Sequence, residues 1–212
     1  MVELWPVFLT APEVNIKALN KALLLLQDFQ FAEEIPCSNW FLMTSKDMPT
    51  GKLQPTTPPH DPDGLFKNEF AGMSMDEIND FLWDNTERFE KAGLTCYTWL
   101  IIDVKGLETD TSLVAQRVFE YDEDTETGSH VKSFRAARLP YERVWDMYCN
   151  LDVANMDFED WVDESGGIQE DGTWKWAGPF PLTNEGLKRA EEERKAKIEK
   201  ALEEMRRLGH ID

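Results

Sequence analysis

The chain has 212 residues and a formal net charge of −19 at pH 7, with 41 Asp and Glu residues against 22 Lys and Arg residues. Hydrophobic residues make up 42% of the sequence, which is enough for a folded core and excludes wholesale disorder. No apolar run reaches the roughly 18 to 20 residues needed to span a bilayer, and the start of the chain lacks a signal-peptide pattern, so we expect a cytoplasmic protein without membrane contact.

The acidic charge is confined to one part of the chain. Residues 183–212 contain eight basic and eight acidic residues, whereas residues 1–182 contain 14 basic and 33 acidic residues. An acidic surface repels phosphate backbones, which excludes direct nucleic-acid binding by this part. The acidity can serve solubility alone, or it can attract a cationic partner or an amine ligand.

The first half of the chain predicts a strand, a helix and a second strand before a long loop. Residues 5–9 form a short apolar run, and apolar residues at helical spacing over 13–29 follow a capping-box spacing that begins at Thr10. Residues 39–44 predict the second strand. Five prolines and two glycines then exclude regular structure over most of residues 46–66, which predicts either a lid or a disordered segment.

The middle of the chain predicts a helix followed by a meander of strands. Ser74 begins a second capping box, a helix is expected over 75–91, and Gly93 ends it. Three β-rich runs follow, separated by turn residues, and their spacing is typical of an antiparallel meander. These runs are residues 95–104, 112–121 and 130–138.

The last part predicts two helices with a hairpin between them. A helix starts at Pro140, and an Asp-Gly pair within residues 168–176 indicates a hairpin. Thr183 caps a charged helix that runs to about residue 208. Its apolar stripe, formed by Ile198, Leu202, Met205 and Leu208, is expected to pack on the body of the chain or on a second copy.

These elements together predict an α+β fold. We expect a mixed, largely antiparallel sheet with helices packed mainly on one face, plus a long charged C-terminal helix. Residues 1–182 would form a single domain, and residues 183–212 a helical extension.

Motifs for the common cofactor and metal chemistries are absent from the sequence. There is no Gly-x-Gly-x-x-Gly motif, no Walker loop and no Gly-x-Ser-x-Gly motif, and the three histidines are far apart. The three cysteines have neither disulfide nor zinc-site spacing, and we expect reduced thiols. No cofactor and no metal site are therefore predicted.

Three charged residues stand in apolar surroundings and are the candidate catalytic residues. Asp103 follows an apolar strand, Asp157 lies between apolar residues, and Arg135 lies within a predicted strand. An inward-facing arginine needs an acidic partner, which Asp103 or Asp157 could supply, with Asn155 nearby. Such a cluster either ties a helix to the sheet, or provides acid–base catalysis by an aspartate and stabilisation of negative charge by Arg135.

The candidate ligand-binding residues are amides and aromatics around the same segments. They are Asn150, Asn155, Trp99 and Trp145. A mobile proline loop could close over a pocket that these side chains form.

Three features occur in order along the second half of the chain: Phe134-Arg135 before a proline-started helix, the run NLDVANMDF at residues 150–158, and a later Asp-Gly turn. In these features the sequence resembles an uncharacterised domain-of-unknown-function family of actinobacteria and fungi. It covers about residues 70 to 178 and implies a shared fold, without an implied activity.

Two functions remain open from the sequence. The first is a small-molecule-binding pocket, or a biosynthetic or accessory enzyme that works without a cofactor. The second is a non-catalytic protein-interaction module that uses the acidic body and the C-terminal helix. The partner is then a small molecule or a protein, and the chain is a monomer or a homodimer through that helix.

Overall fold

A six-stranded sheet forms the centre of the computed structural model, which describes residues 3–27, 39–48, 51–61, 66–122, 126–182 and 184–212. The strands lie in the order β2-β1-β3-β4-β5-β6. Their bounds are β1 Trp5–Leu9, β2 Trp40–Met43, β3 Thr98–Ile102, β4 Thr111–Asp122, β5 Thr127–Pro140 and β6 Trp174–Lys175.

The sheet is mixed. β1 lies parallel to both β2 and β3, whereas β3, β4 and β5 form an antiparallel meander. β6 adds only two residue pairs, parallel to β5 at Ala137 and Arg138. Because the long β4–β5 ladder is antiparallel, most paired residues are antiparallel, and the predicted α+β class with its largely antiparallel sheet is confirmed.

Helices cover both faces of the sheet. Their bounds are α1 Ile16–Leu25, α2 Met75–Asp84, α3 Thr86–Ala92, α4 Val104–Thr109, α5 Tyr141–Asp152 and α6 Glu185–Arg207. α1, α5 and α6, with Leu107 of α4, pack on one face, and α2 and α3 pack on the other. Most helical residues therefore lie on one face, as predicted, while two shorter helices close the second core.

β1 and β3 have continuous apolar runs in the sequence instead of alternating apolar and polar residues. Val7 and Leu9 of β1 face the core under α1 and α5, and Phe8 faces the core under α2 and α3. All five residues of β1 and of β3 are buried. Strands covered on both faces need apolar side chains at successive positions.

The helix ends predicted at Ser74, Gly93 and Pro140 are confirmed, whereas the predicted start at Thr10 and the predicted unbroken helix over 75–91 are wrong. The Ser74 capping box is present, with reciprocal hydrogen bonds between Ser74 and Glu77. The first helix is capped by Asn15 instead of Thr10, because the Asn15 side chain accepts from two backbone N–H groups. The helix expected over 75–91 is interrupted at Asn85, whose side chain donates to the Phe81 carbonyl.

The apolar stripe of α6 is buried within the chain. Ile198, Leu202 and Met205 belong to the core under α1 and α5, whereas Leu208 is exposed. Thr183, the predicted cap, lies outside the described residues, and Asn184 caps the helix with its side chain. The stripe therefore packs on the body of the same chain, one of the two arrangements expected from the sequence.

The proline-rich segment lies along β2. Its described residues contain no helix or strand. The Thr56 backbone N–H donates to the Trp40 carbonyl at 2.8 Å, and the Thr56 hydroxyl accepts from the Leu42 N–H at 2.8 Å. The described part of this segment thus satisfies backbone groups at the outer edge of the sheet.

Candidate functional site

A cleft of about 770 Å³ lies at one end of the sheet. Its walls come from Glu3 before β1, the segment before β3, the middle of β4, two residues of β5, the end of α5 and the segment that follows it. The volume lies within the range of roughly 300 to 1,000 Å³ that small-molecule pockets occupy. We call this feature the cleft.

The cleft exists because β4 and β5 extend beyond β3. β3 begins at Thr98, which pairs with Gln116, and β4 continues to Asp122 alongside β5. The β4–β5 ladder is irregular between Arg117 and Phe119, which changes the course of the hairpin at the cleft. The projecting hairpin therefore provides one wall without a neighbouring strand beside it.

The end of α5 provides the opposite wall. Tyr148 of α5 is fully buried, and its hydroxyl donates to the Thr98 carbonyl, which fixes the helix against the start of β3. After the helix ends, Ala154 adopts a positive φ of 50°, and the Asn155 N–H donates to the Asn150 carbonyl at 2.9 Å. This reversal directs residues 156–159 back along the rim of the cleft.

Two carboxylates in the cleft have raised pKa values. Burial raises the pKa of Glu3 first, and the nearby negative charges of Asp152 and Glu90 raise it further. Burial also raises the pKa of Asp152, although the indole N–H of Trp5 donates to this carboxylate at 3.1 Å and opposes the effect. Both groups are therefore held in surroundings that disfavour their negative charge.

These carboxylates have no cationic partner in the part of the chain that the structure describes. No Lys or Arg side chain among those residues lies within ion-pair distance of Glu3, Asp152 or Asp157, all of which line the cleft. An acidic site of this kind attracts a positive charge from outside the chain.

Arg135 contributes a cationic side chain to the cleft that is already paired. It forms an ion pair with Glu159, and its guanidinium carbon lies 4.9 Å from the centre of the Phe158 ring. Its Nε is buried without a hydrogen-bond partner among the described residues. The pair thus leaves one N–H donor unused at the cleft wall.

The predicted partner of Arg135 was wrong. Asp103 forms an ion pair with Arg138 instead, and it also caps α4 by accepting from the Gly106 N–H at 2.7 Å. Arg135 and Arg138 are three positions apart on β5, so their side chains leave opposite faces of the sheet. Asp157 lines the cleft with Arg135, but Glu159 takes the ion-pair position.

The predicted ligand-binding residues lie outside the cleft lining. Asn155 donates to the Asn150 side chain at 2.7 Å on the exposed surface. Trp99 is fully buried in the core under α2 and α3, and Trp145 packs against Trp5 with ring centres 6.3 Å apart. The described residues of the proline-rich segment do not line the cleft either, so the expected lid has no support at this position.

Several residues that line the cleft were not predicted from the sequence. Nothing in the neighbouring sequence distinguishes Glu3 or Asp152 from other acidic residues. With 41 acidic residues in the chain, the presence of one does not indicate a site. Arg117 could have been found, since it is a charged residue within a predicted strand, as Arg135 is. The same argument about an inward-facing arginine applies to both positions.

Thiol chemistry and metal binding receive no support from the described residues. Burial raises the pKa of Cys96 to about 11, which keeps this thiol protonated and unreactive at neutral pH. No group of three or more His, Cys, Asp or Glu side chains among those residues is arranged to hold a metal ion. Within the same residues, no helix is both long and apolar enough to cross a bilayer.

Comparison with known proteins assigns a family without an activity. No curated protein and no solved structure matches the chain. Residues 58–175 match a family described as a domain of unknown function (DUF6924). The match spans more than half of the chain, from the end of the proline-rich segment to β6, and includes every cleft residue named above except Glu3. The chain therefore belongs to the DUF6924 family.

Proposed function

We propose that the cleft binds a small molecule that carries a positively charged amine. The observation that carries the proposal is the group of three carboxylates, Glu3, Asp152 and Asp157, which line the cleft without a cationic partner among the described residues. All three side chains are open to solvent, and a cleft lined by charges of one sign attracts the opposite charge. A ligand ammonium group supplies the missing partner.

The raised pKa values of Glu3 and Asp152 support this choice of ligand. Burial raises the pKa of both carboxylates, and the negative charge of Asp152 raises the pKa of Glu3 further. A bound ammonium group reverses that effect and lowers both pKa values. Binding and ionisation are therefore coupled, and the affinity for an amine falls as the pH is lowered and these carboxylates take up protons.

The rest of the cleft provides for the non-cationic part of the ligand. Leu151, Ala154 and Met156 supply apolar surface, and Thr98 and Gln116 supply hydrogen-bonding groups. This mixture of an acidic end and an apolar wall favours an amphipathic amine over a bare cation.

A cofactor-independent enzyme acting on such an amine is the second candidate function. Carboxylates with raised pKa values are suited to proton transfer, because they exchange protons closer to neutral pH than ordinary carboxylates do. The alternative of an interaction module that docks through α6 has less support, because Ile198, Leu202 and Met205 are buried in the chain's own core.

The test is an NMR titration of the full chain with butan-1-amine, with butan-1-ol as the uncharged control, at about 0.15 M salt to suppress weak surface attraction. We expect saturable shifts of the backbone signals of Thr98, Gln116 and Ala154 with the amine and not with the alcohol. The variant with Glu3→Gln and Asp152→Asn should weaken amine binding by roughly tenfold or more.

A matched control separates the cleft from the general acidity of the protein. Glu13→Gln removes one negative charge from an exposed position near the same end of the chain and should leave amine binding unchanged. Equal binding of the amine and the alcohol, or unchanged affinity in the Glu3 and Asp152 double variant, would contradict the proposal.

A further inference from the structure

Arg117 is a buried cation on the opposite side of the β4–β5 hairpin from Arg135. Its exposed fraction is 1%, and it belongs to β4. Its Nε and Nη2 donate to the side chain and the backbone carbonyl of Asn79, both at 3.2 Å, and Nη1 donates to the Thr86 hydroxyl at 3.4 Å. The guanidinium carbon lies 4.9 Å from the centre of the Trp83 ring.

The positive charge of Arg117 is not neutralised by the described part of the chain. All three hydrogen-bond acceptors are neutral, and no carboxylate of those residues lies within ion-pair distance. Burial lowers the pKa of Arg117, but guanidinium groups stay protonated in proteins. A buried charge that keeps its proton and lacks a counter-ion is a place where an external anion gains affinity.

Arg117 is one of the residues that line a cavity of about 490 Å³. Its walls are aromatic, with contributions from Trp83, Tyr97, Phe119 and His130. The Tyr97 and His130 rings are stacked with centres 4.1 Å apart, and Phe119 meets His130 edge-on at 5.2 Å. No acidic residue is among the residues that line the cavity.

The aromatic walls are partly open to solvent. Trp83 is 38% exposed and Phe119 is 56% exposed, which is unusual for such large side chains. Flat aromatic walls favour a planar ligand, because stacked and edge-on ring contacts need a ring to meet them. The guanidinium is a planar donor group that matches the two oxygens of a carboxylate.

We propose that this cavity binds a planar aromatic carboxylate, with the carboxylate against Arg117 and the ring between Trp83 and the His130–Phe119 wall. The site is distinct from the amine site, because Glu3, Asp152 and Asp157 do not line it. It nevertheless adjoins the cleft, since Tyr97, Arg117, Phe119 and His130 contribute to the lining of both.

The experiment is a titration of the full chain with sodium benzoate, followed by Trp fluorescence and by NMR of the His130 ring. We expect saturable binding of benzoate. Burial lowers the pKa of His130 in the free protein, and a bound carboxylate nearby should raise it. Benzamide keeps the ring but lacks the charge, so it tests whether binding needs a negative charge. Cyclohexanecarboxylate tests whether binding needs a planar ring. Inorganic phosphate tests whether an anion without any ring binds.

A pair of serine substitutions tests the site without changing Arg117, whose loss could prevent folding. Ser129→Glu places a carboxylate on the cavity lining, where it competes for the guanidinium, and should weaken benzoate binding by roughly tenfold or more. Ser133→Glu makes the same change at an exposed position on β5 outside the cavity lining, and should leave benzoate binding unchanged.

The outcomes separate this site from the amine site. Benzoate binding that survives in the variant with Glu3→Gln and Asp152→Asn supports a separate anion site, whether or not the cleft binds amines. Absence of saturable benzoate binding overturns the inference, as does equal affinity for benzamide. Unchanged benzoate affinity in the Ser129→Glu variant overturns it too.

Discussion

Replacing Asn20 by leucine removes three hydrogen bonds that join α1 to two distant segments. Asn20 is fully buried, and its side-chain amide donates to the backbone carbonyls of His60 at 2.9 Å and of His210 at 3.0 Å. Its side-chain oxygen accepts from the His60 N–H at 2.6 Å. One side chain thus holds the proline-rich segment and the end of the chain against the same helix.

The expected loss of stability follows from the three backbone groups left without a partner. A buried polar group that loses its hydrogen bond costs about 1 to 3 kcal/mol. His60 and His210 are only partly buried, so water can reach these groups after a small movement, and the lower end of that range applies. We therefore expect Asn20→Leu to lower the free energy of unfolding by about 3 kcal/mol and the melting temperature by about 6 to 12 °C.

Urea denaturation followed by Trp fluorescence, with thermal denaturation as a second measurement, tests this estimate. The matched control is Asn155→Leu, because Asn155 is exposed and its one side-chain bond, to Asn150, is at the surface. The control should change the free energy of unfolding by less than about 0.5 kcal/mol. A loss below about 1 kcal/mol for Asn20→Leu would refute the account of Asn20 as a buried three-way link.

Three further predictions address α6, the ion pair between Asp103 and Arg138, and the cleft. Leu202→Ala should cost about 2 to 3 kcal/mol in denaturant unfolding, because Leu202 is buried in the core, whereas Leu208→Ala at an exposed position should cost less than about 0.5 kcal/mol. Asp103→Asn keeps an oxygen to cap α4 but loses the charge opposite Arg138, and should cost about 1 kcal/mol, a loss that Asp103→Ala should exceed. Because the folded-state pKa of Asp152 is raised, its ionisation near pH 7 opposes folding, and that penalty disappears as the pH falls below the unfolded value of about 3.9. Asp152→Asn should therefore stabilise the chain near neutral pH by less than about 1 kcal/mol and have no effect below about pH 4, as thermal melts at the two pH values would show.

Local patterns in the sequence predicted the elements whose ends depend on neighbouring residues. The Ser74 box and the Gly93 terminator are present because each needs only residues within one helical turn. The break at Asn85 is local too, since Asn85 and Thr86 both form side-chain hydrogen bonds to carbonyls of the preceding turn. Such bonds compete with a continuous helix, and the apolar periodicity of residues 75–91 does not reveal them.

The sequence predicted that Arg135 has an acidic partner but did not identify which residue it is. The requirement for an acidic partner followed from an arginine within a predicted strand and is met, but by Glu159 instead of Asp103 or Asp157. The choice depends on the 3-10 helix Phe158–Trp161, which follows the end of α5 and places Glu159 beside β5. With so many acidic residues, residue type alone does not select one of them.

The sequence by itself determined the α+β class, the order of most elements, the amphipathic character of α6 and the family to which the chain belongs. Only the tertiary structure decided that the stripe of α6 packs on the same chain, that Arg135 pairs with Glu159, and that Glu3 shares a cleft with Asp152. The reason is physical. Helix and strand periodicity is set by residues a few positions apart, whereas the cleft depends on how far the β4–β5 hairpin extends past β3, which brings together residues separated by as many as 156 positions along the chain.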